Sequence, residues 1–196
     1  MTIKQSLLKA LYPIIMLLGK LMPSTLSSAF NEKNALPTTS IYNIPLVANS
    51  DSSFTLEHYK GKKILLVNTA SNCGFTAQYA ELETLYKQYQ NKLVVIAMPA
   101  NDFKQQEQAN NASIAQFCKL NYGVSFPLLK KGVVIKNSQQ HDLYKWLSDS
   151  GKNGWCNEAP AWNFCKYLIN EEGILTHYFK HTVSPLSKQV IAAIEQ

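Results

Sequence analysis

Four cysteines, Cys73, Cys118, Cys156 and Cys165, are the residues of this sequence best suited to chemistry. A thiolate is both a nucleophile and a reversible redox group. None of the four forms a C-x-x-C pair, so the dithiol chemistry of a disulfide reductase cannot be written along the chain, and any partnership between thiols must be assembled in space. They are also too few and too widely spaced for a disulfide-stapled scaffold. Cys73 comes shortly after the apolar run Ile64 to Asn68 and before a helical pattern. A thiol between a buried strand and the first turn of a helix meets the positive end of the helix dipole and unpaired backbone N–H groups, which favour the thiolate. An inert packed cysteine fits the same place, and position alone leaves both readings open. His177 and His181 stand four apart, which on a helix would suit a metal. On an extended strand they share no helical face, and exposed polar residues with no metal are expected.

The elements that must position these groups are legible from periodicity. Ile64 to Asn68 and Leu93 to Met98 are continuous apolar runs that predict buried strands, and Tyr79, Leu82, Leu85, Tyr86 and Tyr89 recur between them at helical spacing, giving a β-α-β unit. Upstream, Ile41 to Val47 and Ser53 to Leu56 flank a turn-rich segment and predict a hairpin. Ile114, Phe117 and Cys118 mark a helix face, and His141 to Asp149 a further short helix. Phe164 to Ile169 and Ile174 to Phe179 predict strands around the turn Asn170 to Gly173. Ser184 and Pro185 resemble an N-cap and first helical residue, opening a last helix with Leu186, Val190, Ile191 and Ile194 inward. This order fits an α/β chain with a thioredoxin-like fold, a central mixed sheet flanked by helices with an N-terminal hairpin.

At 196 residues the chain suits one domain plus an appendage. We place the domain at 37–196, after an N-terminal extension and linker at 1–36. The extension sets Lys4 and Lys9 before the apolar run Ala10 to Leu18, which Lys20 ends, followed by small residues around Ser27 to Ala29. Three readings stand: a secretory signal, a membrane-associated anchor, and an inert tail. Export or membrane association follows from the first two, a cytoplasmic protein from the third. The net charge of +6 is carried by 19 lysines with no arginine. They are scattered, and the bidentate fork that reads guanine and clamps phosphate is missing, so nucleic acid is not an expected partner.

The words around Cys73 decide between the two readings of its thiol. Asn68-Thr69-Ala70-Ser71-Asn72-Cys73-Gly74-Phe75-Thr76 closely resembles the signature of the glutathione peroxidase family, which surrounds a redox cysteine or selenocysteine at the Cys73 position. Pro99 to Glu107 resembles the family's second block and Trp162-Asn163-Phe164 its third, in order and with similar spacing. The resemblance runs from about Ile41 to the C-terminus. It implies a thiol peroxidase acting on hydrogen peroxide or organic and lipid hydroperoxides and needing no metal, flavin or heme; separately, a monomer is expected. Its catalytic tetrad carries over onto Cys73, Gln106, Trp162 and Asn163, the last three supplying neutral N–H donors to the thiolate and to the leaving oxygen. The second block departs from the family's usual pattern. Ala100 stands in place of cysteine, Asp102 in place of glutamine and Lys104 in place of glycine, which adds an acid and a base near the pocket mouth.

Phe117-Cys118-Lys119-Leu120-Asn121-Tyr122-Gly123 through Pro127 resembles the segment that carries the resolving cysteine in thioredoxin-dependent, cysteine-containing members. The resemblance implies that Cys118 captures the Cys73 sulfenic acid as a disulfide, which thioredoxin then opens. Glutathione is the second candidate reductant. Its two carboxylates would meet only lysine and backbone donors here. Cys156, in a loop, is an accessory candidate, and Cys165 reads as core. A peroxide-sensing relay that passes oxidation to a partner thiol would use every one of these residues and remains open at this point.

Overall fold

The computed structural model describes residues 1–19 and 27–196. Its centre is the pair of apolar runs. Strands β4 (Lys63–Thr69) and β5 (Leu93–Pro99) are buried at every position, which is why their sequences do not alternate. They pair in parallel from Lys63↔Leu93 to Thr69↔Pro99, joined by helix α2 (Gln78–Tyr89). On the other side β6 (Lys166–Ile169) runs antiparallel to β4, and β7 (Leu175–Phe179) antiparallel to β6. The turn between β6 and β7 needs Gly173, whose φ is +83° and whose added Cβ would lie 2.7 Å from the Tyr42 ring. Strand β1 (Ser28–Phe30) closes this edge against β7, so the order is β1-β7-β6-β4-β5. Residues 28–30, with the small side chains Ser28 and Ala29, thus become a sheet edge although they fall in the stretch expected to be extension.

Alternating strand residues feed two cores. Ile64, Leu66, Val94, Ile96 and Tyr167 pack beneath helix α4 (Asp142–Leu147) and its successor α5 (Ser150–Asn153). Leu65, Val67, Val95 and Leu168 pack against α2, helix α3 (Asn111–Tyr122) and the last helix, α6 (Lys188–Glu195). This is the mixed sheet flanked by helices that the pattern predicts.

Three details differ from expectation. The hairpin is shorter, β2 (Leu46–Val47) with β3 (Ser53–Phe54), because residues 41–43 wind into a 3-10 turn capped by Ser40 Oγ, which accepts the Tyr42 N–H at 3.2 Å. Helix α6 begins after Ser187, not at Ser184-Pro185. The Ser184 hydroxyl is taken by Glu81 Oε2, 2.5 Å away, and by the Leu186 N–H, while Ser187 N–H closes a turn onto Ser184 O. In that helix Val190 and Ile194 are buried and Ile191 only half-buried. The two histidines share no face, but neither is the exposed polar residue expected: both are half-buried, His177 stacked on Phe179 and His181 edge-on to Phe75, because aromatic neighbours cover them.

Ahead of the domain, helix α1 (Ile3–Gly19) lies across the loop that follows β4. Lys20, which ends the apolar run, lies outside the described residues. Among the described residues no helix is long and apolar enough to cross a membrane.

Candidate active site

The loop after β4 is wound by one side chain. Thr76 Oγ1 accepts the Cys73 N–H at 3.0 Å and lies 2.9 and 2.8 Å from the carbonyls of Ala70 and Cys73. This tight turn brings the Phe75 N–H to the Cys73 sulfur at 3.5 Å. Helix α2 starts only at Gln78, so the donors nearest the sulfur are those of the turn.

The opposite wall is fixed by Asn68. This buried strand residue donates from Nδ2 to Trp162 O at 3.0 Å and accepts the Cys165 N–H on Oδ1 at 3.0 Å, while its own carbonyl takes the Phe164 N–H. The clamp holds Phe164 in a left-handed conformation, φ +70°, and turns Trp162 and Asn163 towards Cys73. A third wall is zipped on by Asn72 N–H, which donates to Gln106 O at 3.1 Å.

Cys73 is fully buried. Burial pushes its thiol above the ordinary range, and hydrogen bonds from the Phe75 backbone, the Trp162 and Asn163 side chains and the Gly74 backbone pull it back. The expectation of a thiolate favoured by position is therefore corrected: in this closed arrangement desolvation outweighs the donors. The donors themselves converge as the chemistry requires.

Gln106 stands one bond further out than expected. Its Oε1 accepts from Asn163 Nδ2 at 3.0 Å, so its amide acts on Asn163 and not as a donor to the sulfur. Asp102 turns away from the site, accepting the Val134 N–H from the segment after α3 at 2.9 Å. Lys104 places its ammonium 5.7 Å from the Trp162 ring centroid. Neither contributes to the shift at Cys73, so the added acid and base do not tune it directly.

Cys118 lies in α3, buried in the same core as Cys73. Burial pushes its thiol up to about 12, against a hydrogen bond from Tyr79. The helix ends at Tyr122, and Gly123 caps it at φ +65° with N–H bonds to Cys118 O and Lys119 O, so Cys118 sits between one and two turns from a glycine-capped end. All four cysteines are free thiols. Cys156 and Cys165 belong to the other core, on the far face of the sheet. The accessory candidacy of Cys156 loses its geometric basis there: the loop is folded inward by Asn153, whose Oδ1 accepts the Cys156 N–H at 2.7 Å.

One residue escaped the sequence reading. Glu107 is fully buried, and its Oε2 accepts both the N–H and the hydroxyl of Ser71, each at 2.8 Å, two residues before Cys73. Burial raises its carboxyl to about 7. Its Oε1, with Asn163 Oδ1, is buried without a hydrogen-bond partner in the protein. A glutamate beside Gln106 in the second block was the available signal. Among the described residues no cluster of His, Cys, Asp and Glu could hold a metal.

Comparison with known proteins gives the family and the fold. The family model described as Glutathione peroxidase matches residues 41–148. The chain is 40% identical over 158 residues to "Glutathione peroxidase homolog BsaA" of Staphylococcus epidermidis, covering 80% of this chain and 98% of that protein. It is 39% identical to "Glutathione peroxidase-like peroxiredoxin 2" of Saccharomyces cerevisiae, covering 76% and 93%. Among solved structures, the apo form of Trgpx superposes with a TM-score of 0.61 at 34% identity, over 81% of this chain and 97% of that one. A DsbF homologue from Corynebacterium diphtheriae reaches 0.62 at 15% identity over 89% and 95%, a likeness of thioredoxin-like fold alone.

Proposed function

The chain belongs to the glutathione peroxidase family and is a cysteine-based thiol peroxidase, and from that premise we propose that Cys73 attacks the hydroperoxide, Cys118 resolves the product and a thioredoxin-type dithiol closes the cycle. The Cys73 thiol gives up its proton, the thiolate takes the distal OH of ROOH as the O–O bond breaks, and RO⁻ takes up that proton and leaves as ROH. The sulfenic acid at Cys73 then reacts with the Cys118 thiol, forming the disulfide and releasing water. Exchange with an external dithiol returns both thiols.

The observation that carries this reading is the convergence of four N–H donors, from Phe75, Gly74, Trp162 and Asn163, on one sulfur. Such donors stabilise negative charge on sulfur and on the departing oxygen without adding a group that would itself be oxidised. Gln106 acts as a positioning residue through Asn163. For Cys118 to reach Cys73, the last turn of α3 must unwind, and the glycine-capped end is where unwinding is cheapest. We assign catalysis to residues 37–196, acting as a monomer, and favour retention of the N-terminal segment as a membrane-associated helix.

The test is steady-state peroxide consumption coupled in parallel to thioredoxin and to glutathione. Turnover with thioredoxin that is lost in both Cys73→Ser and Cys118→Ser is the expected result. Turnover in Cys118→Ser with glutathione alone would remove Cys118 from the cycle, and silence with both reductants would favour the sensing relay.

A further inference from the structure

Helix α1 carries two apolar faces, and the protein uses only one. At about 100° per residue, Ile3, Leu7, Ile14 and Leu17 fall within one arc of roughly 80°, with Gln5, Tyr12 and Met16 opposite. The second face is seated. Gln5 Nε2 donates to Ser71 O at 3.3 Å and Asn72 Oδ1 at 3.0 Å, the Tyr12 hydroxyl donates to Glu81 at 2.7 Å, and Met16 is buried. Ile15 lies so close to Gly74 that a Cβ there would be 3.2 Å from its Cδ1. The first face is bare: Ile3 is 91% exposed, Leu7 59%, Ile14 56% and Leu17 63%. A continuous stripe of large aliphatic side chains along a 17-residue helix is more than scattered surface apolarity.

We propose that α1 docks this protein on an anionic lipid surface through the Ile3, Leu7, Ile14 and Leu17 stripe while its opposite face stays on the Cys73 loop. This rests on the reading of the N-terminal segment as retained and membrane-associated, and names the surface and the lipid class. Charge selects the partner. Lys4 borders the stripe on one side, Lys9 sits towards the seated face with its ammonium 5.1 Å from the Tyr122 ring centroid, residues 1–19 contain no Asp or Glu, and the chain as a whole carries +6. A second copy would bring like charge to the same stripe. Leu120 of α3 is also exposed, and the next residue, Asn121, lies 3.5 Å from the Met1 amine. No described helix can cross a bilayer, so α1 would lie in the interface with its apolar face down.

The consequence concerns the substrate pool. With α1 between them, the Cys73 loop stands about one helix diameter, roughly 10 Å, from the lipid headgroups. Hydroperoxides carried by the bilayer then become the nearest oxidants.

Vesicle flotation of the full chain tests this, with phosphatidylcholine alone and with phosphatidylcholine plus phosphatidylglycerol. Binding to the second, weakened by salt, is expected. Leu7→Asp and Ile14→Asp should each weaken it by roughly tenfold or more, since one lost aliphatic burial is worth that factor. Leu7→Gln, which keeps helix propensity, should act in the same direction. Hydrogen peroxide turnover in solution should be unchanged in all three, so loss of docking is distinguishable from failure of the peroxidase reading. Flotation equal in wild type and variants, or none with anionic vesicles, overturns the proposal. So does a solution dimer abolished by the same substitutions, which would assign the stripe to a second copy, or a native N-terminus that begins beyond α1.

Discussion

The two faces of the sheet each bury two cysteines, yet only one face is equipped to use them. On the α2/α3 face Cys73 receives four N–H donors and shares its core with Cys118. On the α4 face Cys165 Sγ has the Tyr178 hydroxyl at 3.4 Å, and burial holds the Cys156 thiol up at about 11. Burial is common to both faces, so burial does not distinguish a reactive thiol from a packed one. Convergent donors do, because they lower the energy of sulfur only in its charged form.

The largest effects should separate the faces. Cys73→Ser removes peroxide turnover, whereas Cys156→Ala and Cys165→Ala should each leave it within about twofold and cost roughly 1–2 kcal/mol of stability as small core truncations. Coupled turnover assays with urea unfolding would read both. A Cys156→Ala enzyme that stalls after one turnover would break the comparison.

Next come the donors. Asn163→Ala removes an N–H aimed at the sulfur and at the leaving oxygen, and the single-turnover rate of Cys73 oxidation should fall about 10²-fold. Gln106→Ala should fall less, about tenfold, because its carbonyl only orients Asn163. Equal losses would mean that Gln106 itself reaches the peroxide.

Glu107 sharpens the comparison from the stability side. Its carboxyl is raised from 4.5 to about 7, first by burial, against the two Ser71 hydrogen bonds and the Lys131 charge. The Tyr79 hydroxyl and Cys118 thiol also lie within its field. The folded state therefore holds a proton that the unfolded chain releases between pH 4.5 and about 7, so this contribution is full below pH 4.5 and is lost as pH rises towards 7. Glu107→Gln keeps an acceptor for Ser71 and should flatten the dependence of unfolding free energy on pH across that window. An unchanged slope would place the titration elsewhere.

How much of this was legible follows the range of the interactions. β4, β5 and α2 were readable because an apolar run or a helical period is a local signal, and the Cys73, Trp162 and Asn163 blocks because their words are specific. Strand β1 was not, since Ser28, Ala29 and Phe30 become a strand only beside β7. Nothing local announced that Gln5 and Ile15 would rest on the Cys73 loop and Tyr12 on α2, some 60 to 70 residues away in sequence. Asp102 and Gln106 were found but misdirected, because which way a side chain faces is set by Val134 and Asn163 and not by its own neighbours.

The smallest expected effect lies at Lys104, where the family has glycine. Its φ is +50°, and Gln105 follows at +52°, so the loop that presents Gln106 and Glu107 is held in the left-handed region by residues that resist it. That conformation costs a side-chain-bearing residue about 1 kcal/mol, while the ammonium over Trp162 returns about 0.5–1 kcal/mol. Lys104→Gly alone should thus change stability little. Lys104→Ala loses the ring contact and keeps the strain. The difference between the two variants isolates the backbone, and glycine should be the more stable by about 1 kcal/mol, the reverse of the order in an ordinary helix or strand. Urea unfolding of the pair would measure it, and alanine equal to or above glycine would mean that the loop carries no strain at this position.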